Sequence, residues 1–84
     1  MSILMYTRSW CGDCHRAKRL LDDFGFAYEE IELESQPEKQ ADMEAINGGK
    51  NRVPTILFAD QSILIEPSNA QLAAKVGIDL NDWA

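Results

Sequence analysis

The two cysteines of the chain stand together as Cys11-Gly12-Asp13-Cys14. A thiolate is a strong nucleophile, and two thiols at this spacing can attack a disulfide and then close one between themselves. A helix that begins at the first cysteine favours the thiolate, because its unpaired N–H groups and partial positive charge lie beside the sulfur. The motif therefore predicts thiol–disulfide exchange.

The segments on either side of the motif predict a strand followed by a helix. Residues 3–7 form a short apolar run that is typical of a buried strand. A helical period begins at Cys11 and ends near Gly25, and it places Cys14 on the apolar face. We therefore expect Cys14 to point towards the core as the resolving thiol. Cys11, at or before the first turn, is expected to face solvent as the attacking thiol.

The rest of the chain predicts two more helices and three strands. Residues 27–33 alternate apolar and acidic side chains, and 56–59 with 62–65 predict a hairpin. A second helix is expected from about 37 to 46, and a third begins with an N-cap within 67–69 and ends at Gly77. The inward residues of the second helix are either Ala41 with Ala45 or Met43 with Ile46. The tail is expected to dock through Ile78, Leu80 and Trp83.

The resulting order, β-α-β-α-β-β-α, predicts one α/β domain over residues 1–84. A right-handed crossover makes the first two strands parallel, and the hairpin adds antiparallel partners. We therefore expect a four-stranded mixed sheet flanked by three helices.

Composition excludes several classes of protein. The net charge of −6 argues against broad nucleic-acid binding, which needs a basic surface. The apolar runs are too short to span a membrane, and the first eight residues do not form a secretory signal. We therefore expect a cytoplasmic protein, in which a structural disulfide is rare.

Other roles of the cysteine pair remain open at this stage. With His15 the motif also matches the attachment pattern of c-type haem, although no export signal accompanies it. A structural zinc site would need a second pair of ligands, which one histidine cannot supply. An iron–sulfur cluster shared between two subunits, and a disulfide that only staples the loop, are further alternatives.

Residues 6–18 resemble the active-site segment of glutaredoxins, a family within the thioredoxin superfamily. Asn47-Gly48-Gly49 followed by Val53-Pro54 resembles their substrate-facing loop. Together with Trp10 and residues 67–68, these motifs are most similar to the mycoredoxin-type members. The resemblance covers about residues 3–76.

This resemblance implies roles for particular residues. It implies Cys11 and Cys14 as the catalytic pair and a cis Val53-Pro54 bond, with the Val53 backbone pairing with the bound thiol. It implies no metal and no tightly bound cofactor. The substrate-binding residues expected from it, or from their place beside the motif, are Arg8, Trp10, Asp13, Val53, Pro54, Ser68 and Asn69.

Two departures from the family pattern affect the expected substrate. Gly12-Asp13 stands where many glutaredoxins have Pro-Tyr, and Glu66-Pro67 replaces a Gly-Gly pair. Asp13 and Glu66 add negative charge where glutathione would place carboxylates, which favours mycothiol and leaves bacillithiol open. The charge of Asp13 also acts against the Cys11 thiolate, and we expect Arg8, Arg16 or Arg52 to offset it.

The function implied by the resemblance is reduction of mixed disulfides between proteins and a low-molecular-weight thiol, which is mycothiol, bacillithiol or glutathione. The expected partners are S-thiolated or disulfide-containing proteins, and the expected state is a monomer. One alternative is a thioredoxin-like dithiol donor, for example to ribonucleotide reductase, served by a flavin-dependent disulfide reductase. The other is an iron–sulfur cluster carrier.

Overall fold

The computed structural model describes residues 2–83 of the chain. Its strands are β1 (Ile3–Thr7), β2 (Glu29–Glu32), β3 (Thr55–Phe58) and β4 (Ile63–Ile65). Its helices are α1 (Gly12–Asp23), α2 (Lys39–Asn47) and α3 (Asn69–Val76), followed by a short 3-10 helix at Leu80–Asp82. The predicted element order is confirmed.

The four strands form one mixed sheet in the order β2-β1-β3-β4. β1 pairs in parallel with β2 and antiparallel with β3, and β3 pairs antiparallel with β4. The parallel pair and the antiparallel hairpin are both as predicted. β1 therefore lies inside the sheet, and the loop after it emerges between two neighbouring strands.

Each face of the sheet carries its own apolar cluster, because successive side chains of a strand point to opposite faces. Ile3 and Met5 pack with α1 and α3 on one face, where the partly buried Ile78, Leu80 and Trp83 of the tail also pack. Tyr6 packs on the other face with Met43 of α2. Cys11, Cys14 and Val53 belong to this second cluster, so the cysteine pair lies at its edge.

The second helix begins two residues later than predicted, and its buried side shows which of the two candidate pairs faces inward. It begins at Lys39, and Pro37 lies in the turn before it, where its carbonyl accepts a hydrogen bond from the Gln40 amide at 3.2 Å. Ala41 and Ala45 are exposed, whereas Met43 is fully buried. Of the two inward pairs that the sequence left open, the structure therefore selects Met43 with Ile46, which is partly buried.

The ends of α1 and α3 are fixed by local signals. Cys11 is the N-cap of α1, and Gly25, two residues beyond the helix, has a positive φ of 76°. Ser68 caps α3, and Gly77 ends it at a φ of 83°. Glycine suits these left-handed positions because it has no Cβ to clash with the neighbouring carbonyl. Among residues 2–83, no helix is long and apolar enough to cross a membrane.

Candidate active site

The Cys11 sulfur lies at the start of α1, and two backbone groups contact it. Its Sγ accepts a hydrogen bond from the amide of Cys14 at 3.0 Å, and its thiol donates to the carbonyl oxygen of Val53 at 3.7 Å. Cys11 lines an open groove, but only 6% of the residue is exposed, which is less than its place at the helix start suggested. The segment that carries Val53 packs against it from 42 residues further along the chain.

Cys14 points into the second apolar cluster, as predicted, and its exposure is 0%. Burial raises the pKa of its thiol above the ordinary value, and its hydrogen bond with the Cys11 side chain raises it further. The two cysteines are not joined in this structure. A buried thiol that resists ionisation is suited to act second, after Cys11 has reacted.

An open groove of about 320 Å³ lies over Cys11. Of the predicted site residues, the structure brings Arg8, Trp10, Asp13 and Val53 to its lining beside Cys11. Pro54, Ser68 and Asn69 are not part of that lining. The remaining lining residues, Gly12, Asn51, Arg52 and Glu66, were not predicted to bind substrate. Asn51 and Arg52 lie immediately before Val53-Pro54. Their position next to the expected substrate-facing loop could have identified them as groove residues.

The Val53-Pro54 peptide bond is cis, as the resemblance implies. Pro54 is fully buried, and its carbonyl oxygen accepts a hydrogen bond from the Glu66 amide at 2.8 Å. This bond ties the turn before β3 to the residue that follows β4. Val53 and Glu66 therefore face the groove from two segments that hold each other in place.

Arg8 is held by neutral partners. Its Nη2 donates to Oε1 of Gln40 and to Oδ1 of Asn51, both at 3.0 Å. Gln40 belongs to α2 and Asn51 to the loop before β3, so Arg8 links three segments beside the groove. No signal in the local sequence pattern pointed to either contact.

The two acidic side chains of the groove have arginine partners. Asp13 lies 3.1 Å from Nη2 of Arg16, and Glu66 lies 3.5 Å from Nη1 of Arg52. Arg16 is thus the arginine that offsets the charge of Asp13, whereas Arg52 is paired with Glu66 and Arg8 with neutral groups. The sequence put Arg8 first for this offset, with Arg16 and Arg52 as alternatives, and the structure pairs Asp13 with Arg16.

The loop before Cys11 is fixed through Ser9. The Ser9 amide and hydroxyl both donate to Oε2 of Glu34, at 2.8 and 2.7 Å, and the Ser9 carbonyl lies 2.8 Å from Nε2 of His15. His15 is exposed on α1, as predicted. Trp10 follows Ser9 and is 72% exposed at the edge of the groove. A large apolar surface therefore stands in solvent beside the reactive sulfur.

Ser68 and Asn69 have partners within the fold. The Ser68 hydroxyl accepts from the amide of Gln71 at 3.1 Å, and the Gln71 side chain accepts from the Ser68 amide at 2.8 Å. Oδ1 of Asn69 accepts from Nη1 of Arg16 at 2.6 Å. These bonds cap α3 and join it to α1, and substrate binding by the two residues stays a prediction.

Residues 2–83 contain no group of three or more side chains placed to hold a metal ion.

Comparison with known proteins decides the family. Residues 3–63 match the family model described as glutaredoxin. The chain belongs to the glutaredoxin family. The thioredoxin/glutaredoxin fold follows, as does the general activity of the family, thiol–disulfide oxidoreduction through a Cys-x-x-Cys motif with a low-molecular-weight thiol as co-substrate.

Relatives of this glutaredoxin support the same conclusion. A protein of Mycobacterium tuberculosis strain H37Rv that carries a glutaredoxin name is 39% identical over 75 residues, 89% of each chain. The structure of the glutaredoxin-like protein NrdH-redoxin from Escherichia coli, described with a thioredoxin-like activity profile, is similar at a TM-score of 0.66. It is 31% identical, over 76% of this chain and 80% of that one. The solution structure of a Brucella melitensis glutaredoxin is similar at a TM-score of 0.63 and is 29% identical. The match covers 98% of this chain and 85% of that one.

Proposed function

We propose that this glutaredoxin reduces mixed disulfides between proteins and a low-molecular-weight thiol, acting as a cytoplasmic monomer. The Cys11 thiolate attacks the sulfur of the small thiol. A bond forms between Cys11 and that sulfur, the protein sulfur leaves as a thiolate, and it then takes up a proton. A second small thiol attacks the Cys11-bound sulfur and releases a small-molecule disulfide, which restores Cys11. Cys14 provides an alternative second step.

The observation that carries this proposal is the unequal setting of the two sulfurs. The Cys14 amide donates to Cys11 Sγ at the start of α1, where Cys11 lines the open groove. Cys14 lies in the apolar cluster beneath it, and burial raises the pKa of its thiol, which disfavours its thiolate. One sulfur is thus prepared to attack and the other to resolve.

The groove supports a small thiol as the co-substrate. Its volume of about 320 Å³ lies at the lower end of the range that holds small ligands, roughly 300–1,000 Å³. The Val53 backbone stands beside the Cys11 sulfur and offers peptide groups to a bound thiol. A molecule the size of a tripeptide or a sugar-linked cysteine can occupy such a groove while its sulfur reaches Cys11.

Mycothiol is the small thiol that the site favours. The resemblance assigns a carboxylate or polar group of the thiol to Ser68 and Asn69, but in this chain neither residue belongs to the lining of the groove over Cys11. A thiol with no carboxylate does not need those donors. Mycothiol meets that condition, whereas glutathione carries two carboxylates.

A second candidate is a dithiol donor to protein disulfides. It is favoured by the likeness to the NrdH-redoxin of Escherichia coli and by Trp10, whose large exposed surface can contact a protein beside Cys11. In this route Cys14 attacks the mixed disulfide on Cys11, releases the reduced client and leaves a Cys11–Cys14 disulfide. A flavin-dependent disulfide reductase would then restore the dithiol.

The deciding experiment compares Cys14→Ser on mixed disulfides of one peptide with glutathione, mycothiol and bacillithiol, each supplied with its own reduced thiol. We expect turnover with mycothiol that matches or exceeds the other two, and none with the matched variant Cys11→Ser. Loss of turnover with all three, while the natural chain still reduces a protein disulfide, would reject the small-thiol route in favour of the dithiol donor.

A further inference from the structure

Glu66 adopts a backbone conformation that is unusual for its residue type. Its φ is 49°, in the left-handed region that side chains with a Cβ rarely adopt. Among residues 2–83, the other non-glycine residue with a positive φ is Gln61, whose φ of 71° is explained by the hairpin turn that its amide closes onto Phe58. Glu66 lies beyond β4, outside that turn. Strained positions of this kind concentrate at ligand-binding sites.

Neighbouring backbone holds Glu66 in that position. Its amide donates to the Pro54 carbonyl at 2.8 Å, and the next residue, Pro67, is fully buried. The side chain is therefore presented to the groove from a fixed base. Its carboxylate lies 3.5 Å from Nη1 of Arg52, and both side chains are partly exposed, at 39% and 59%. Water and ligands can reach this ion pair.

The Arg52–Glu66 pair sets how much positive charge the groove offers a ligand beyond that of Arg8, whose hydrogen-bond partners carry no charge. Asp13 is paired with Arg16, and Arg8 is held by two neutral oxygens. Arg52 is the groove cation whose partner is a groove carboxylate. Without Glu66, Arg52 would be available to a carboxylate of the bound thiol, and one repulsive charge would be gone.

We propose that Glu66 is a specificity-determining residue that disfavours carboxylate-bearing thiols in the groove by occupying Arg52. The selection acts on charge near Cys11 and does not alter the sulfur itself. This inference rests on the proposed function, in which the small thiol lies in the groove. To that function it adds Glu66 as the residue that favours neutral thiols over anionic ones.

The test uses a reaction that needs no turnover. In a Cys14→Ser background, the second-order rate constant of Cys11 is measured with glutathione disulfide, which is anionic, and with bis(2-hydroxyethyl) disulfide, which is neutral. The rate constant for glutathione disulfide is divided by that for the neutral disulfide, and this ratio cancels any change in the reactivity of Cys11. We expect Glu66→Gln to raise the ratio by about twofold to fivefold, the range for one exposed ion pair. The gain should shrink in high salt.

Two further variants separate the causes. Adding Arg52→Gln to Glu66→Gln should return the ratio to its starting value, because the carboxylate receptor is lost. Asp82→Asn removes the same net charge beyond α3, and it should leave the ratio unchanged. An unchanged ratio in Glu66→Gln, or an equal rise in Asp82→Asn, overturns the inference. Because these rates are stoichiometric, they remain measurable even if the catalytic assay rejects the proposed function.

Discussion

Glu34 receives two hydrogen bonds from Ser9, one from the amide at 2.8 Å and one from the hydroxyl at 2.7 Å, both on the same carboxylate oxygen. These bonds fix the loop that presents Trp10 and Cys11. The Ser9 hydroxyl and then the Ser9 amide lower the pKa of the Glu34 carboxyl below its usual range. The contact should therefore persist in mildly acidic solution.

This relationship predicts an NMR titration. The Ser9 amide resonance should shift with pH, with a midpoint below 4.5, the ordinary value for the carboxyl. In Glu34→Gln the same resonance should show no such titration, because the group that changes charge is gone. A midpoint at or above the ordinary value in the natural chain would show that Ser9 does not hold Glu34 in solution.

Burial of Cys14 predicts selective alkylation. At about pH 7, iodoacetamide should modify Cys11 first, since the thiolate is the reactive form and the pKa of Cys14 is raised. Mass spectrometry of Cys11→Ser should show labelling of Cys14 at least about tenfold slower than labelling of Cys11 in Cys14→Ser. The matched control is the same pair of variants in urea, where both thiols should react at similar rates. Equal rates in the folded state would contradict the assigned order of attack.

Glu30 predicts a pH dependence of stability. Burial alone would raise the pKa of its carboxyl, but hydrogen bonds from Thr7 at 2.6 Å and Lys18 at 2.9 Å together lower it. A carboxyl with a lower pKa in the folded state stabilises the fold above its ordinary value of 4.5, and that contribution is lost as the pH falls through the lowered value.

Urea unfolding at a series of pH values tests this prediction. Between about pH 6 and about pH 3, the free energy of unfolding of Glu30→Gln should fall less than that of the natural chain. The same fall in both proteins would mean that Glu30 does not contribute to acid sensitivity.

We expect Ser68→Ala to lower the stability of the fold without lowering the affinity for substrate. Its hydroxyl caps α3, and replacing a serine N-cap by alanine costs about 1 kcal/mol, or about 4–8 °C in Tm for a domain of this size. We expect the KM of Ser68→Ala for a mixed disulfide to rise no more than about twofold, within ordinary mutational effects. Ser35→Ala, in an exposed turn, is the matched control and should change stability by less than about 0.5 kcal/mol. A raised KM with unchanged stability would instead assign Ser68 to the substrate.

Local sequence signals predicted the elements and the direction of Cys14. Helical spacing placed Cys14 with the apolar residues of α1, and the structure leaves it fully buried. The N-cap expected within 67–69 and the Gly77 stop were equally local; the structure confirms both and identifies Ser68 as the cap. The inward face of α2 was ambiguous because alanine fits both a core and a surface. Only packing against the sheet selects Met43 over Ala41 and Ala45.

Contacts between distant segments were beyond the reach of local patterns. The near-complete burial of Cys11 depends on Val53, 42 residues away. The partners of Arg8 lie 32 and 43 residues away, in α2 and in the loop before β3. A periodicity argument treats each element alone, so it could find the cysteines but not the groove over them.

The groove wall comes from three places in the chain: the segment from the end of β1 into the first turn of α1, residues 51–53 before β3, and Glu66 after β4. Apart from Cys11 and Val53, none of the lining residues belongs to either apolar cluster. The wall is nevertheless coupled, because Arg8 bonds to Asn51 and Glu66 pairs with Arg52, so its segments must be varied together while the cysteine pair and the core stay constant. Libraries at positions 51, 52 and 66 offer a direct route to redox proteins that read a chosen cellular thiol.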